Sequence, residues 1–484
     1  MEKERQPFDQ PAFRLSRRTA ILFLAGAAAT LSGCAVGPDY RKPEPMPASA
    51  EIPSGFKEAP AGWKVASPQD GALKGKWWTI YSDPQLDALE SEVVLNNQNI
   101  EQYAQRFLQA QALAAEAGSA LYPSVTAGAD PSRSRRSRKT SNSVTVQGGV
   151  SWDLDLWGKL RRTRTGREAS AEASRADLVN ARLSAEAALA EDYFTIRGLD
   201  ARIASLGKTI GVYRKNVESM RNKYVAGLIV KSDLSQAEQA LYSAESSRAD
   251  LVGQRAKYEH AVAVLLGRAP SGLTLLASAS SLPAVPEVPG ILPSALLERR
   301  PDVASAERSV AAANEEIGVA IAGYYPDISL SASGGYSGGS FGSLFSADTL
   351  IWSIGASAAQ MVFDAGSTRA KVESAKASYG EAVAKYRETV LEAFQQVEDA
   401  LSDQKAIANR IVHTRNSLRA AEDSAAVKMS QYREGMIDYT EAASTEATRL
   451  SNEQSLISLQ AEALVNSVEL VKSIGGGWTG LGEK

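Results

Sequence analysis

Cysteine and histidine are nearly absent from this sequence: one cysteine and two histidines stand among its 484 residues. Cys34, His260 and His413 are far apart along the chain, so neither a His/Cys metal cluster nor a Cys–His catalytic pair is expected, and no metal or cofactor is implied. An excess of one charge is missing too. With 23% charged residues, a net charge of −3 and no sustained basic stripe, nothing points to nucleic acid. After Cys34 no apolar run approaches the roughly 20 residues a spanning helix needs, so any membrane crossing must be made of strands. Proline is confined as well: none occurs between Pro131 and Pro270, and none after Pro326. Because a proline inside a helix costs about 3 kcal/mol, these tracts are free to form very long helices.

The N-terminus carries a targeting pattern. Arg14, Arg17 and Arg18 precede an apolar run from Ala20 to Leu31, and LSGC follows at 31–34. A basic region, a short apolar region and small residues before a cut describe a secretory signal over 1–33. LSGC resembles the bacterial lipobox, which implies acylation of Cys34 at the mature N-terminus. Each buried methylene of such a lipid adds about 0.8 kcal/mol, so several chains anchor stably. Ala35 after the cysteine favours the outer membrane in lipoprotein sorting, while Arg17-Arg18 leaves twin-arginine export open beside the general secretory route. Residues 34–82, rich in proline, alanine and glycine, read as an extended acylated tether.

The rest of the chain repeats itself. NKYVAGLIVKSDL (222–234) aligns with SQYREGMIDYTEA (430–442) at an offset of about 208 residues, pairing Gly227 with Gly435 and Asp233 with Glu441. LWGKLRR (156–162) aligns with DAGSTRA (364–370), and ALYPSVTAGAD (120–130) with YYPDISLSAS (324–333). The expected organisation is a first repeat over 83–275, a linker over 276–300, and a second repeat over 301–484. Each repeat reads helix, strand, loop, strand, long helix, tight turn, helix. Lys159–Ala226 and Ala365–Glu434 would each reach roughly 100 Å at 1.5 Å per residue. Each ends at a Tyr-x-x-Gly turn, where glycine suits a left-handed helix cap. Pro84–Ser119 and Pro301–Gly323 read as shorter helices, with Asp83-Pro84 as cap and first-turn pair.

Four segments alternate apolar and polar residues: Leu121–Ala129, 143–156, Ile328–Tyr336 and Leu350–Ala358. Each is close to the length of a tilted membrane strand. A soluble sandwich would alternate too. Three features favour the membrane: Trp152, Trp157, Trp352, Tyr122, Tyr324 and Tyr325 at strand ends, polar faces made of Ser, Thr, Gln, Gly and Asp, and the acylated start. A bilayer does not tolerate open strand edges, and four strands cannot close around a lumen. Three chains supply twelve strands, and the helices then extend the barrel wall as a helical tube. Asp153 and Asp155 face the lumen by alternation, although compensation of a helix N-terminus explains them equally well. The segments 131–143 and 337–349 read as external loops, the first strongly basic.

Several stretches carry a family resemblance over nearly the whole mature chain: WWTIYSDPQLDALESEVVLNNQNI (77–100), SWDLDLWGKLRR (151–162), LLERRPDVASAE (296–307), the two Tyr-x-x-Gly turns and IGGGW (474–478). Together they resemble the TolC-type outer-membrane factors, in their NodT-like lipoprotein branch. The fold implied is an α+β membrane channel-tunnel: four transmembrane strands per chain, a trimeric twelve-stranded barrel, and a long periplasmic helical barrel built from two repeats. The implied function is export of small molecules as the outer-membrane channel of a tripartite efflux system, without catalysis. The implied partners are a homotrimer, a periplasmic adaptor and an inner-membrane pump, with the chain both lipid-anchored in and spanning the outer membrane. A periplasmic coiled-coil lipoprotein and a type I secretion channel are the alternatives.

In such proteins the periplasmic helix tips form the gate. The resemblance places Asp233 and Tyr432 on the link between hairpins and Glu441 on an acidic ring. Ser444 and Ile437 depart from an aspartate and an arginine usual there, with Asp438 as a nearby substitute. Leu228, Ile229 and Met436 are candidates for seam packing or adaptor contacts.

Overall fold

The structure, a computed structural model, describes residues 35–47, 52–59, 75–277, 282–286, 288, 297 and 299–476. Cys34, the signal segment and Trp478 lie outside them. The helices are α1 (Pro84–Asn96), α2 (Gln98–Ser119), α3 (Lys159–Val225), α4 (Lys231–Leu265), α5 (Pro301–Ala322), α6 (Ser367–Arg433) and α7 (Tyr439–Ser473). The strands are β1 (Ser124–Arg136), β2 (Lys139–Leu154), β3 (Asp327–Gly338) and β4 (Leu350–Ala359). Contacts divide the chain into two compact units. One holds residues up to Arg41, Ala112–Glu168 and Ala311–Gly380; the other holds Lys42–Gln111, Ala169–Val310 and Glu381–Lys484. None of the described helices is long and apolar enough to cross a membrane.

The first unit is built on an antiparallel sheet in the order β1-β2-β3-β4. Register keeps like with like: Val150 lies opposite Ala332 and Ala332 opposite Ile354, while Gly149, Ser333 and Ser353 line up one residue away. One face therefore carries Val125, Ala127, Val150, Trp152, Leu330 and Ile354. The other is tied by hydroxyl pairs, Ser329 Oγ to Ser357 Oγ at 2.8 Å and Ser333 Oγ to Ser353 Oγ at 2.9 Å. A one-residue slip would exchange the faces throughout, so the pattern fixes the register.

The expected loop at 131–143 is instead the continuation of β1 and β2. Ser132–Arg136 pairs with Lys139–Ser143 around a two-residue turn, Ser137-Arg138, with φ of +50° and +69°. Two positive φ values match the twist of a hairpin, and they come here without the glycine or asparagine that usually marks such a turn. Pro131 is accommodated because β1 is an edge strand.

Both long helices begin with an aspartate cap beside a left-handed glycine. Asp155 lies just past β2, and its carboxylate accepts from the Leu160 and Arg161 amides at 2.9 Å each and from Arg161 Nε at 3.0 Å. Asp364 accepts from Gly366 N at 2.9 Å and from Thr368 N and Oγ1 at 2.6 Å each. The Thr368 hydroxyl and amide hold the Asp364 carboxyl below its ordinary range. Gly158 and Gly366, at φ of +80° and +90°, let the chain turn from sheet into helix.

The tether is not free where it is described. Val36 N donates to Trp157 O at 3.0 Å, and Arg162 Nη1 reaches both Pro38 O at 3.2 Å and Glu315 Oε2 at 2.8 Å. Gly37 lies so close to Gly318 that a Cβ there would come 2.6 Å from the Gly318 Cα. Further on, the Lys57 and Glu58 amides donate to the Glu398 carboxylate at 2.7 and 3.0 Å. A proline-rich segment has few backbone donors of its own to satisfy, and it finds partners along the helices instead.

In the second unit the apolar centre gathers Trp77, Trp78, Tyr81, Leu86, Val93, Tyr193 and Phe194 with the C-terminal half of α7. Asp83 caps α1, accepting from Gln85 N at 2.9 Å and from the Tyr193 hydroxyl at 2.7 Å. The single helix expected over Pro84–Ser119 breaks at Asn97. That side chain accepts from Asn99 N at 2.9 Å, capping α2, and donates to Leu265 O at 2.8 Å.

Candidate functional site

Two places hold the candidate functional residues: the sheet of the first unit and the helix tips of the second. The apolar face of the sheet is open to the surroundings. Val125 is 77% exposed, Trp352 73% and Ile354 79%, and every residue of β1 and β4 is exposed. Aromatic side chains gather where strands meet helices. Trp157 stacks on Tyr325 with centroids 4.8 Å apart, its Nε1 donating to Pro326 O at 2.8 Å, and Trp152 Nε1 donates to Leu121 O at 3.0 Å. Indoles with one satisfied polar end and a partly exposed apolar body suit a membrane interface. Asp153 sits on the polar face, in register with Ser329 and Ser357. Of the two readings left open for Asp155, its hydrogen bonds fit the helix N-terminus; it lies one residue outside the strand.

At the tips, α3 and α6 end in the same way. Leu228 N bonds to Lys223 O and Met436 N to Gln431 O, both at 2.9 Å, across Gly227 and Gly435 with φ of +70° and +76°. These are the double caps that a left-handed glycine permits. Below them Leu206, Ile210, Val217 and Met220 of α3 pack on Leu234, Ala237 and Leu241 of α4.

The two hairpins meet through side chains. Tyr432 donates its hydroxyl to Met220 Sδ at 3.2 Å, stands edge-on to Tyr439 at 5.4 Å, and lies under Lys223 Nζ at 5.6 Å. Asn216 Nδ2 donates to the Tyr439 hydroxyl at 2.6 Å, and Thr440 Oγ1 to Gln236 Oε1 at 2.7 Å. Burial pushes the Tyr432 phenol upward, and the negative charge of Asp233 adds to it.

Asp233 thus lies near Tyr432, although no hydrogen bond joins them among the described residues. Glu441 pairs with Lys428 Nζ at 2.5 Å on its own hairpin. Asp438 is the residue before α7, and its side chain makes no cap bond. Leu228 and Met436 are exposed, whereas Ile229 packs on the tip cluster. Sequence reasoning missed Asn216, Met220, Tyr439 and Thr440. Nothing in the repeat distinguishes them, because these contacts join the two repeats rather than recur in each.

A sheet with one lipid-compatible face, one hydroxyl-lined face and two open edges, leading into 67-residue helices, defines a wall segment of a membrane channel. The sequence agrees with a known class. Residues 89–268 and 292–476 match the outer membrane efflux protein family, and the chain belongs to it.

Among its relatives, the probable efflux pump outer membrane protein TtgC of Pseudomonas putida is 29% identical over 471 residues, covering 95% of this chain and 96% of that one. The nodulation protein T of Rhizobium leguminosarum bv. trifolii is 29% identical over 424 residues, covering 85% and 88%. The cation efflux system protein CusC of Escherichia coli is 27% identical over 463 residues, covering 93% and 98%. The solved outer-membrane channel OprN superposes with a TM-score of 0.84 at 29% identity, covering 92% of this chain and all of that one. The Campylobacter jejuni CmeC outer membrane channel gives 0.85 at 21% identity, covering 93% of this chain and 96% of that one, a likeness of fold. The chain is an outer-membrane efflux channel of channel-tunnel fold, with its helices in the periplasm.

Proposed function

We propose that three copies of this chain close a twelve-stranded barrel and serve as the exit duct of a tripartite efflux system. An inner-membrane pump supplies the energy, a periplasmic adaptor makes the connection, and the duct itself catalyses nothing. The observation that carries this reading is the open four-stranded sheet. Its edges, β1 and β4, need partners within a bilayer, and four strands cannot enclose a lumen while twelve can. Acylation of Cys34 would anchor the N-terminus. The described residues that follow it, Val36–Asp39, clasp Trp157 and Arg162.

Small hydroxyls line the wall, so selection falls to the pump. The relatives' names concern toluene, antibiotics, cations and pyoverdine, and a duct of this lining is compatible with small solutes of all these kinds. The gate lies at the tips, where Asp233, Tyr432, Asp438 and Glu441 cluster near the two turns. The Lys428–Glu441 pair neutralises the carboxylate that would otherwise repel its two symmetry mates.

Reconstitution into planar bilayers tests the reading. It requires discrete ion conductance from a detergent-stable trimer, and a pure protein that never conducts would refute it.

A further inference from the structure

The hairpin of β1 and β2 outruns the rest of the sheet. Pairing between β2 and β3 stops at Val144 with Gly338, so Ser132–Arg136 and Lys139–Ser143 project beyond it as two strands alone. This projection carries Arg133, Arg135, Arg136, Arg138 and Lys139, all exposed, and no aspartate or glutamate occurs between Pro131 and Trp152. None of the five cations takes part in an ion pair among the described residues.

Alternation sorts them. Arg133 and Arg135 continue the row Val125, Ala127, Ala129, Pro131, the apolar face. Arg136 and its partner Lys139 continue the polar face.

Height along the bilayer decides what the first pair meets. Arg133 lies opposite Asn142, ten residues along β2 from Trp152. At about 3.3 Å per residue and a tilt of about 40°, that is roughly 25 Å along the membrane normal, the height of an outer-membrane apolar band. With Trp152 at one interface, Arg133 stands at the headgroup level of the other, and Arg135 just beyond.

We propose that Arg133 and Arg135 form a binding site for the phosphate groups of lipid A in the outer leaflet. The proposal rests on the outer-membrane reading above. Two guanidinium forks on one face grip phosphate oxygens in bidentate fashion. Asn142 and Thr140, their cross-strand partners on the same face, offer hydrogen bonds to the sugar hydroxyls. Positive φ at both turn residues suits the twist of the paired strands and keeps Arg133 and Arg135 in register with Asn142 and Thr140.

The test uses the full-length protein in nanodiscs, titrated with diphosphorylated lipid A and with lipid A stripped of both phosphates. Two double variants carry the same charge loss on opposite faces: Arg133→Ser with Arg135→Ser, and Arg136→Ser with Lys139→Ser. Binding of phosphorylated lipid A should fall on the order of ten- to thirtyfold in the first and by less than about threefold in the second. Should the first fail to insert, Arg133→Lys with Arg135→Lys keeps the charge, loses the fork and should show a partial loss. Equal weakening by both serine pairs, an unaltered lysine pair, or equal wild-type affinity for the two lipids would overturn the site. Conductance of the same preparations separates the readings: a conducting wild type without phosphate preference sinks only the lipid site, and a wild type that never conducts sinks the reading beneath it.

Discussion

Glu90 offers a prediction with a definite sign. It lies fully buried on α1, and neither carboxylate oxygen has a hydrogen-bond partner among the described residues. Burial, reinforced by the charges of Glu186 and Asp87, pushes its pKa from 4.5 up to about 10. Glu186 is itself raised by burial, although Arg182 at 2.9 Å and the Trp77 indole at 3.1 Å draw it back. The folded protein therefore holds a proton on Glu90 that the unfolded chain releases above about pH 4.5. A carboxyl raised in this way costs stability as pH climbs from 4.5 toward 10, and costs nothing below that window. At pH 7 the penalty is about 3.5 kcal/mol per chain, two and a half pH units at ~1.4 kcal/mol each.

Glu90→Gln keeps the shape and removes the proton. The variant should match the wild type near pH 4.5 and unfold several degrees higher at pH 7. The emission of Trp77 and Trp78, packed edge-on at 5.9 Å beside this site, reports the transition at a fixed scan rate. Parallel melting curves across pH 5–8, or a variant less stable than wild type at pH 7, would refute the reasoning.

Other substitutions probe the remaining parts. Arg162→Met strands the buried Glu315 carboxylate and should cost about 3–5 kcal/mol in thermal unfolding, most of it recovered when Glu315→Leu is added. Ile354→Arg places a charge on the lipid face and should lower trimer yield and heat resistance, by about 2–4 kcal/mol per chain. Ser353→Arg, one residue away on the hydroxyl face, should leave assembly intact and shift ion selectivity in planar bilayers. At the tips, Asp233→Ala and Glu441→Gln should raise single-channel conductance, and Glu441→Gln should change stability by less than about 1 kcal/mol, since the partly exposed Lys428–Glu441 pair contributes little; unchanged conductance removes that residue from the gate.

Much of this was legible because periodicity is a local property. The change from two-residue alternation to an alanine-rich, proline-free tract at 156–162 predicted strand running into helix, and Gly227 and Gly435 predicted both helix ends to within a residue or two. The four strands showed because their apolar rows are short and regular. What stayed hidden depends on partners distant in sequence or on unmarked backbone. Ser137-Arg138 turns without glycine, so the hairpin read as a loop. Asn97 breaks a helix through a bond to Leu265 O, 168 residues away. The tether's clasp on Arg162 and Asn314 and the Asn216–Tyr439 bond between repeats follow from packing, which no short pattern encodes.

The mass of the detergent-solubilised particle, taken by multi-angle light scattering with the detergent contribution subtracted, bears most directly on whether one chain can seal its own sheet. A protein mass of three chains is the predicted result. A water-soluble particle of one chain, monodisperse without detergent, would contradict it.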